Sequence, residues 1–496
     1  MEQPSVLVAP SRQQRAHGGH DSDIRVSPMT RLLPLDIIYD LIPLLGLSDL
    51  LTFMSTCKAF RERGAKHLVS RSFPVRDVDS FELFMASFGD RMYQHIEHFN
   101  YLPRSDEVVT AERLSSILSQ ATRLESLELQ FYPEPRGLAN ERNGLHGVLS
   151  SVPSLRRLHL WLTGTEFLSP TERAILQNLN SGLRTLRLSF IRHCDPLQSL
   201  PGALLDGLKH LHFQRAVFDS LENPLVKLES LTIEDATMHT RTLITSFPGI
   251  QYLRLPRTDS EDTERRRRGS FESELDIMHR LNSRTQELGS SWPSLRYLSG
   301  SLTSLYRHAV TAPTQTLHID TAIVNPLDME LLRVVLKDTR PTCLSITLSY
   351  RYVSSMFEPL MSVQSHLKRL DLRVLWCPPE THKDEKRAAR ELVVSVYGML
   401  ARLSLTAVRL DIVKEIERSQ SEDKALDTYA IALRLVQRVP TLRDVLVRYQ
   451  TSEMESTRMR YWSIAEPGDH ETMSEMESSV GDEIFGADLP GAGWGA

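Results

Sequence analysis

LRRLHL, beginning at Leu155, is one of seven close copies of a single six-residue spelling in this 496-residue chain. The others are LESLEL at Leu124, LRTLRL at Leu183, LKHLHF at Leu208, LESLTI at Leu228, IQYLRL at Ile250 and LKRLDL at Leu367. Looser copies stand at Leu295 (LRYLSG), Thr314 (TQTLHI), Cys343 (CLSITL), Leu405 (LTAVRL) and Leu442 (LRDVLV). The fourth positions Leu127, Leu158, Leu186, Leu211, Leu231 and Leu253 are separated by 31, 28, 25, 20 and 22 residues. Self-similarity at that period predicts stacked units.

In a short strand alternate side chains point to opposite faces, so the two closing apolar residues of each copy share one side. Each unit keeps an unburied side until a neighbour stacks on it; stacking builds one continuous core with a parallel sheet on one face. The runs AERLSSILSQA, TERAILQNL and RTLITSF between copies read as helices of an outer layer. Residues 380–402 and 414–438 read as longer amphipathic helices with Leu392, Val396, Leu400, Leu433 and Val436 on their apolar sides. The expected fold class is an α/β solenoid over 123–450, behind a helical connector at 74–122. A polar insertion at 256–291, carrying four arginines at 265–268, interrupts it. That run, preceded by Glu261, Asp262 and Glu264, reads as a solvated loop.

The outward strand positions form rows across neighbouring units: Ser126, Glu128 and Gln130; Arg157, His159 and Trp161; Thr185, Arg187 and Ser189; His210, His212 and Gln214; Ser230, Thr232 and Glu234; Tyr252 and Arg254. Arg157, His159, Trp161, Arg187, His212 and Arg254 are the candidate binding residues. A tryptophan among cations suits a binding hot spot, and arginine suits carboxylate or phosphate.

Ahead of the repeats the text changes. LPLDIIYDLIPLLGLSDLLTFMSTCKAFRERGAKHL, from Leu33, fits two or three short helices; Ser48 is expected to cap the second and Asp49 to sit in its first turn. So short and apolar a segment cannot bury every face within itself, and a docking surface is expected.

Bulk properties exclude several function classes. No apolar run is long enough to span a membrane, and the first residues lack a secretory pattern. Cys57, Cys194, Cys343 and Cys377 are far apart without metal or disulfide spacing, so a cytoplasmic or nuclear location is expected. The net charge is −5, but the last 36 residues carry eight acids and no Lys or Arg, which leaves a body of +3. That excess is too small for a nucleic-acid binder. The arm 1–28 and the acidic tail 451–496 are too polar to repay ordering, and the Gly491, Gly493, Gly495 series is part of that tail. His95 with His98, and Cys377 with His382, lack further ligands, and no nucleophile elbow, phosphate loop or zinc helix is spelled out. Neither catalysis, metal nor cofactor is expected.

The segment 29–73 resembles an F-box. The family's opening appears as Leu33, Pro34, Asp36, Ile37 and Ile38, its aliphatic continuation as Leu41, Ile42 and Leu45, its Asp-Leu-Leu as Asp49, Leu50 and Leu51, and its ending as Cys57, Lys58, Phe60 and Arg61. The resemblance implies a small all-α three-helix module that binds a Skp-type adaptor and, through it, a cullin ubiquitin ligase. The adaptor-binding residues it implies are Leu33, Pro34, Ile37, Leu41, Leu45, Asp49, Leu50, Leu51, Cys57 and Phe60. The downstream array resembles the substrate-reading half of F-box and leucine-rich-repeat proteins of the degenerate fungal kind, a horseshoe that holds a protein substrate. Neither nucleic acid nor membrane is an implied partner. Pro43 departs from the pattern by breaking the first helix near Leu41, and Phe60 stands where many members carry Trp. Tyr132, Thr163, Ile191, Ala216, Ala236 and Thr258 stand where repeats usually carry Asn or Cys. The alternative is a ligase-independent leucine-rich scaffold or inhibitor whose N-terminal helices cap the solenoid.

Overall fold

The computed structural model describes residues 40–71, 74–102, 111–130, 147, 149–150, 152–162, 168–179, 182–217, 221, 223–235, 238–256, 274–289, 291–377, 382–414, 426–451, 458–465 and 473–476. The chain divides into two units, Met1–His67 and Leu68–Ala496.

Among the described residues of the second unit, sixteen strands form one open sheet in strict chain order. The twelve repeat spellings become the twelve successive strands β3 (Ser126–Gln130), β4 (Arg157–Leu162), β5 (Thr185–Cys194), β6 (His210–Ala216), β7 (Ser230–Glu234), β8 (Tyr252–Leu255), β9 (Leu295–Gly300), β10 (Thr314–Ile319), β11 (Cys343–Ser349), β12 (Arg369–Trp376), β13 (Ala407–Lys414) and β14 (Asp444–Thr451). These twelve pair in parallel with one another. Their core positions form an unbroken ladder, Leu127, Leu158, Leu186, Leu211, Leu231, Leu253, Leu298, Leu317, Leu344, Leu370, Val408 and Val445, each the register partner of the next. In the copy at Cys343 the ladder residue is Leu344, two positions before the Ile346 that the spelling points to.

The missing Asn or Cys leaves the question of what ties one unit to the next. At the entry of most strands a single backbone carbonyl accepts two N–H groups from the following unit. Glu125 O receives Arg156 N and Arg157 N, Arg156 O receives Arg184 N and Thr185 N, and the pattern runs on through Lys209, Glu229 and Gln251, then Thr342, Lys368 and Thr406. These accepting groups need no particular side chain, so the second letter of the spelling is free to be Glu, Arg, Lys, Gln or Thr. A backbone ladder thus meets the demand that buried polar groups be paired.

Three expected boundaries are corrected. The connector 74–122 already belongs to the sheet through β1 (Pro74–Val75) and β2 (His98–Tyr101). Its core residues there are Phe99 and Tyr101, aromatics that the leucine spelling does not reveal. The insertion contains a helix, Glu274–Glu287, docked by its polar side: Asn282 Nδ2 donates to Arg307 O (2.8 Å) and Gln286 Nε2 to Ala309 O (2.6 Å), while Thr240 N donates to Asn282 Oδ1 (3.1 Å). A buried polar face reads as solvated in a sequence, which hid the helix's structural role. The arginines 265–268 lie outside the described residues. The supposedly unstructured tail contributes β15 (Arg458–Ile464) and β16 (Met473–Met476), both antiparallel. Trp462, register partner of Val445, and Tyr461 are buried; two large aromatics in a strand of seven residues repay the ordering of a polar segment. The arm 1–28 and the tail from 477 lie outside the described residues. Among the described residues no helix is long and apolar enough to cross a membrane.

In the first unit a helix ends at Leu41 and a 3₁₀ turn, Ile42–Leu44, follows with Pro43 inside it. The turn accommodates the missing Pro43 N–H. Two helices come next, Leu47–Thr56 and Lys58–Ser70. Gly46, not Ser48, occupies the N-cap of the first, and no side chain caps it; Asp49 lies in its first turn as expected. Gly64 permits the helices to cross closely, since a Cβ there would lie 2.4 Å from Met54 Cγ and 3.4 Å from Leu50 Cδ1.

Candidate functional site

Two surfaces carry the sequence-predicted residues, one in each unit. In the helical unit, Leu33, Pro34 and Ile37 lie outside the described residues. Leu50 is fully buried, so it builds the unit's interior beneath Gly64 instead of meeting a partner directly. Phe60 is half-buried and stacks on Phe53 with ring centroids 4.2 Å apart. Leu45 is half-buried, and Asp49 and Cys57 are exposed. The outward apolar residues are Leu41, Leu44 (79% exposed), Leu47 and Leu51. Leu44 and Leu47 were not among the expected contacts. An apolar run on both sides of a short helix does not say which side faces inward.

The second surface is the sheet face opposite the leucine ladder. On β3 to β8 the side chains alternate as predicted, with the leucines inside and Glu128, His159, Trp161, Arg187, Gln214 and Arg254 on the open face. In register the central row reads Glu128, His159, Arg187, His212, Thr232, Arg254. His159 Nδ1 lies 2.8 Å from Glu128 Oε1 and its Nε2 lies 3.2 Å from Ser189 Oγ. Trp161 Nε1 donates to the same Glu128 oxygen at 3.3 Å, and its ring tilts against that of His159. The expected cluster of Trp161 with arginines is therefore corrected: the indole is half-buried, its donor is held by a carboxylate, and its ring neighbour is an imidazole. His212 is buried, with Nε2 3.2 Å from Glu234 Oε1.

These pairs determine charge. The hydrogen bond from His159 holds the Glu128 carboxyl below its ordinary range. Burial opposes ionisation of Glu234, but contact with His212 and the charges of Arg187 and Arg254 leave it lowered too. Burial pushes both His159 and His212 down, and Arg187 adds to the effect. The face thus presents neutral imidazoles and ionised glutamates at neutral pH. Arg157, Arg187 and Arg254 have no ion-pair partner among the described residues.

Farther along the same face lies a second polar cluster, in which Arg409 and Arg448 have acids within ion-pair distance while Arg409 Nε, Arg448 Nε and Asp411 Oδ1 are buried without hydrogen-bond partners. Asp411 is buried between Arg409, whose Nη2 is 3.3 Å away, and Arg448, whose guanidinium also contacts it. Arg409 Nε lies 3.7 Å from Asp371 Oδ1, and His318 Nε2 lies 3.1 Å from Asp320 Oδ1. Burial raises the Asp371 carboxyl, Arg409 opposes it, and Asp411 adds to the rise. Beyond lies an apolar end formed by Ala407, Leu446 and Tyr461, whose hydroxyl donates to Asp444 Oδ1 at 2.7 Å.

No group of three or more His, Cys, Asp or Glu side chains among the described residues could hold a metal ion. No protein-family model matches the chain and no curated protein is significantly similar to it.

Proposed function

We propose that the chain is the substrate-recognition subunit of a Skp-cullin-F-box ubiquitin ligase, acting in the cytoplasm or nucleus, with its repeats as a degenerate leucine-rich solenoid. The observation that carries the reading is the exposed row Leu41, Leu44, Leu47 and Leu51 on a separate helical unit that spells an F-box. Four leucines left in water on so small a unit favour a permanent partner, since burying each is worth about 1.5–3 kcal/mol. The open sheet face, polar and long, supplies a surface for a protein substrate. The chain's part is positioning, and the covalent steps belong to other subunits.

Capture of a purified Skp-type adaptor tests the reading. The wild-type chain is expected to retain the adaptor, and Leu44→Asp with Leu47→Asp to lose it while keeping its helical circular dichroism. Failure of the wild type to bind, or equal binding by the double variant, overturns it. Leu50→Asp is the wrong probe, because a buried carboxylate at that position unfolds the unit.

A further inference from the structure

We propose that the open face between β4 and β8 takes an acidic side chain, aspartate or glutamate, of an extended protein segment, with Arg187 as its anchor. This deepens the reading of the open face as a protein-binding surface.

Arg187 sits at the centre of the row, register partner of His159 on one side and His212 on the other. Each of those histidines is within ion-pair distance of its own glutamate, although His212 Nε2 is buried without a hydrogen bond. The guanidinium is not: its Nε is buried without a hydrogen-bond partner, and no carboxylate among the described residues pairs with it. A half-buried guanidinium without an acceptor is an unfilled demand that a planar carboxylate meets with two parallel bonds. One strand away, Gln214 Oε1 is buried and lacks a donor. A peptide N–H beside the acidic residue supplies one, so the two unmet groups together describe a peptide and not a free anion.

The backbone singles out the same units. Among the described residues, two that are not glycine stand in the left-handed region outside helix ends, Arg215 (φ 58°) and Asp235 (φ 49°), one residue beyond Gln214 and Glu234. The other two, Ala309 and Arg340, are ordinary helix C-caps. Arg215 Nε holds Asp235 Oδ2 at 3.2 Å, and its Nη1 donates to Ile191 O. The β5–β6 pairing shifts register between Ser189 and Cys194 at the same end. Strained residues and bulges that surrounding contacts hold in place gather at binding sites.

The charge balance selects carboxylate over phosphate. Glu128 and Glu234 both feel Arg187, and the flanking imidazoles are uncharged at neutral pH because burial lowers them. Any anion here meets the ionised Glu128 and Glu234; a carboxylate brings one charge into that field and a phosphoryl dianion close to two, for the same pairing with one guanidinium.

The test is selection of short random peptides displayed on phage against the full-length chain at neutral pH. Selected peptides are expected to share an Asp or Glu. Changing it to the amide, or Arg187→Gln in the protein, is expected to weaken binding about tenfold or more. Combining the two changes is expected to cost no more than either alone. Arg187→Lys should recover part of the loss, and Arg373→Gln, an exposed arginine farther along the face, should change nothing. Selection of no peptide, of peptides without an acid, or of peptides indifferent to Arg187→Gln overturns the proposal. So does a phosphoserine replacement that binds more tightly than the acid. Adaptor capture by Arg187→Gln stays at the wild-type level; intact peptide selection in a chain that never captures an adaptor supports this proposal and overturns the ligase reading alone.

Discussion

The β3–β8 and β11–β14 stretches of the open face are built from the same strand spacing and similar side chains, yet they dispose of charge in different ways. In the first, Glu128 and Glu234 are spent on imidazoles and an indole, and Arg157, Arg187 and Arg254 are left without an ion pair among the described residues. In the second, Asp371 and Asp411 are spent on Arg409 and Arg448. The second network holds its arginines in ion pairs, although Arg409 Nε, Arg448 Nε and Asp411 Oδ1 are buried without hydrogen-bond partners, whereas the imidazole–carboxylate pairs of the first leave Arg157, Arg187 and Arg254 without an acid. The proposed acid-binding role of the first stretch rests on its cations without an ion pair, and the second stretch serves as its comparison.

The largest effect that separates them is expected from Asp411→Ala. It leaves Arg409 and Arg448 facing each other across a buried position with their shared acid gone, a loss of about 3–5 kcal/mol. Chemical denaturation measures it. Glu128→Ala, on the first stretch, strands the His159 and Trp161 donors, which are partly hydrated, and is expected to cost about 1–2 kcal/mol. If the two losses are equal, the contrast fails.

Acid should split the face as well. His159 and His212 lie below the ordinary imidazole value of 6.5, so the unfolded chain takes up protons first. Their contribution is complete above pH 6.5 and is lost as pH falls below it. Glu128 and Glu234 act in the same direction at lower pH, since each is depressed from 4.5. Asp371 is raised, so its contribution is greatest in acid and is lost as pH rises through its folded value. Amide exchange, corrected for intrinsic rates, is expected to show β4–β7 opening more readily as pH falls from 7 to 5, with β11–β13 changing less. Equal change in both stretches removes the imidazoles as the difference.

How much of this was legible depended on whether a residue's role follows from its own neighbours in the chain. The leucine ladder did, because period-2 alternation fixes which residues face the core, and all twelve spelled strands formed. The outward row from Glu128 to Arg254 followed from the same alternation. Partnership across the row did not: Glu128 and His159 are 31 residues apart, and nothing local says that the acid will choose the imidazole and the indole over Arg187. The strands β1, β2, β15 and β16 escaped because their core residues, Val75, Phe99, Tyr461 and Trp462, break the leucine spelling. Leu50 and Leu51, adjacent and chemically identical, are buried and exposed respectively. Only the close crossing at Gly64 distinguishes them, and that is a tertiary fact.

The smallest effect sharpens the comparison from the other side. Ser345 Oγ reaches Asp371 Oδ2 at 3.5 Å, the limit of a hydrogen bond, on a carboxyl that already has Arg409 beside it. Ser345→Ala is therefore expected to change stability by no more than about 0.5 kcal/mol. Ser189 is the comparable hydroxyl of the first stretch, 3.2 Å from His159 Nε2, and its loss removes that imidazole's contact opposite Glu128. Ser189→Ala is expected to exceed Ser345→Ala in unfolding free energy and to alter the His159 titration followed by NMR. A larger loss at Ser345 would mean that the second network depends on its hydroxyl as well as its ions.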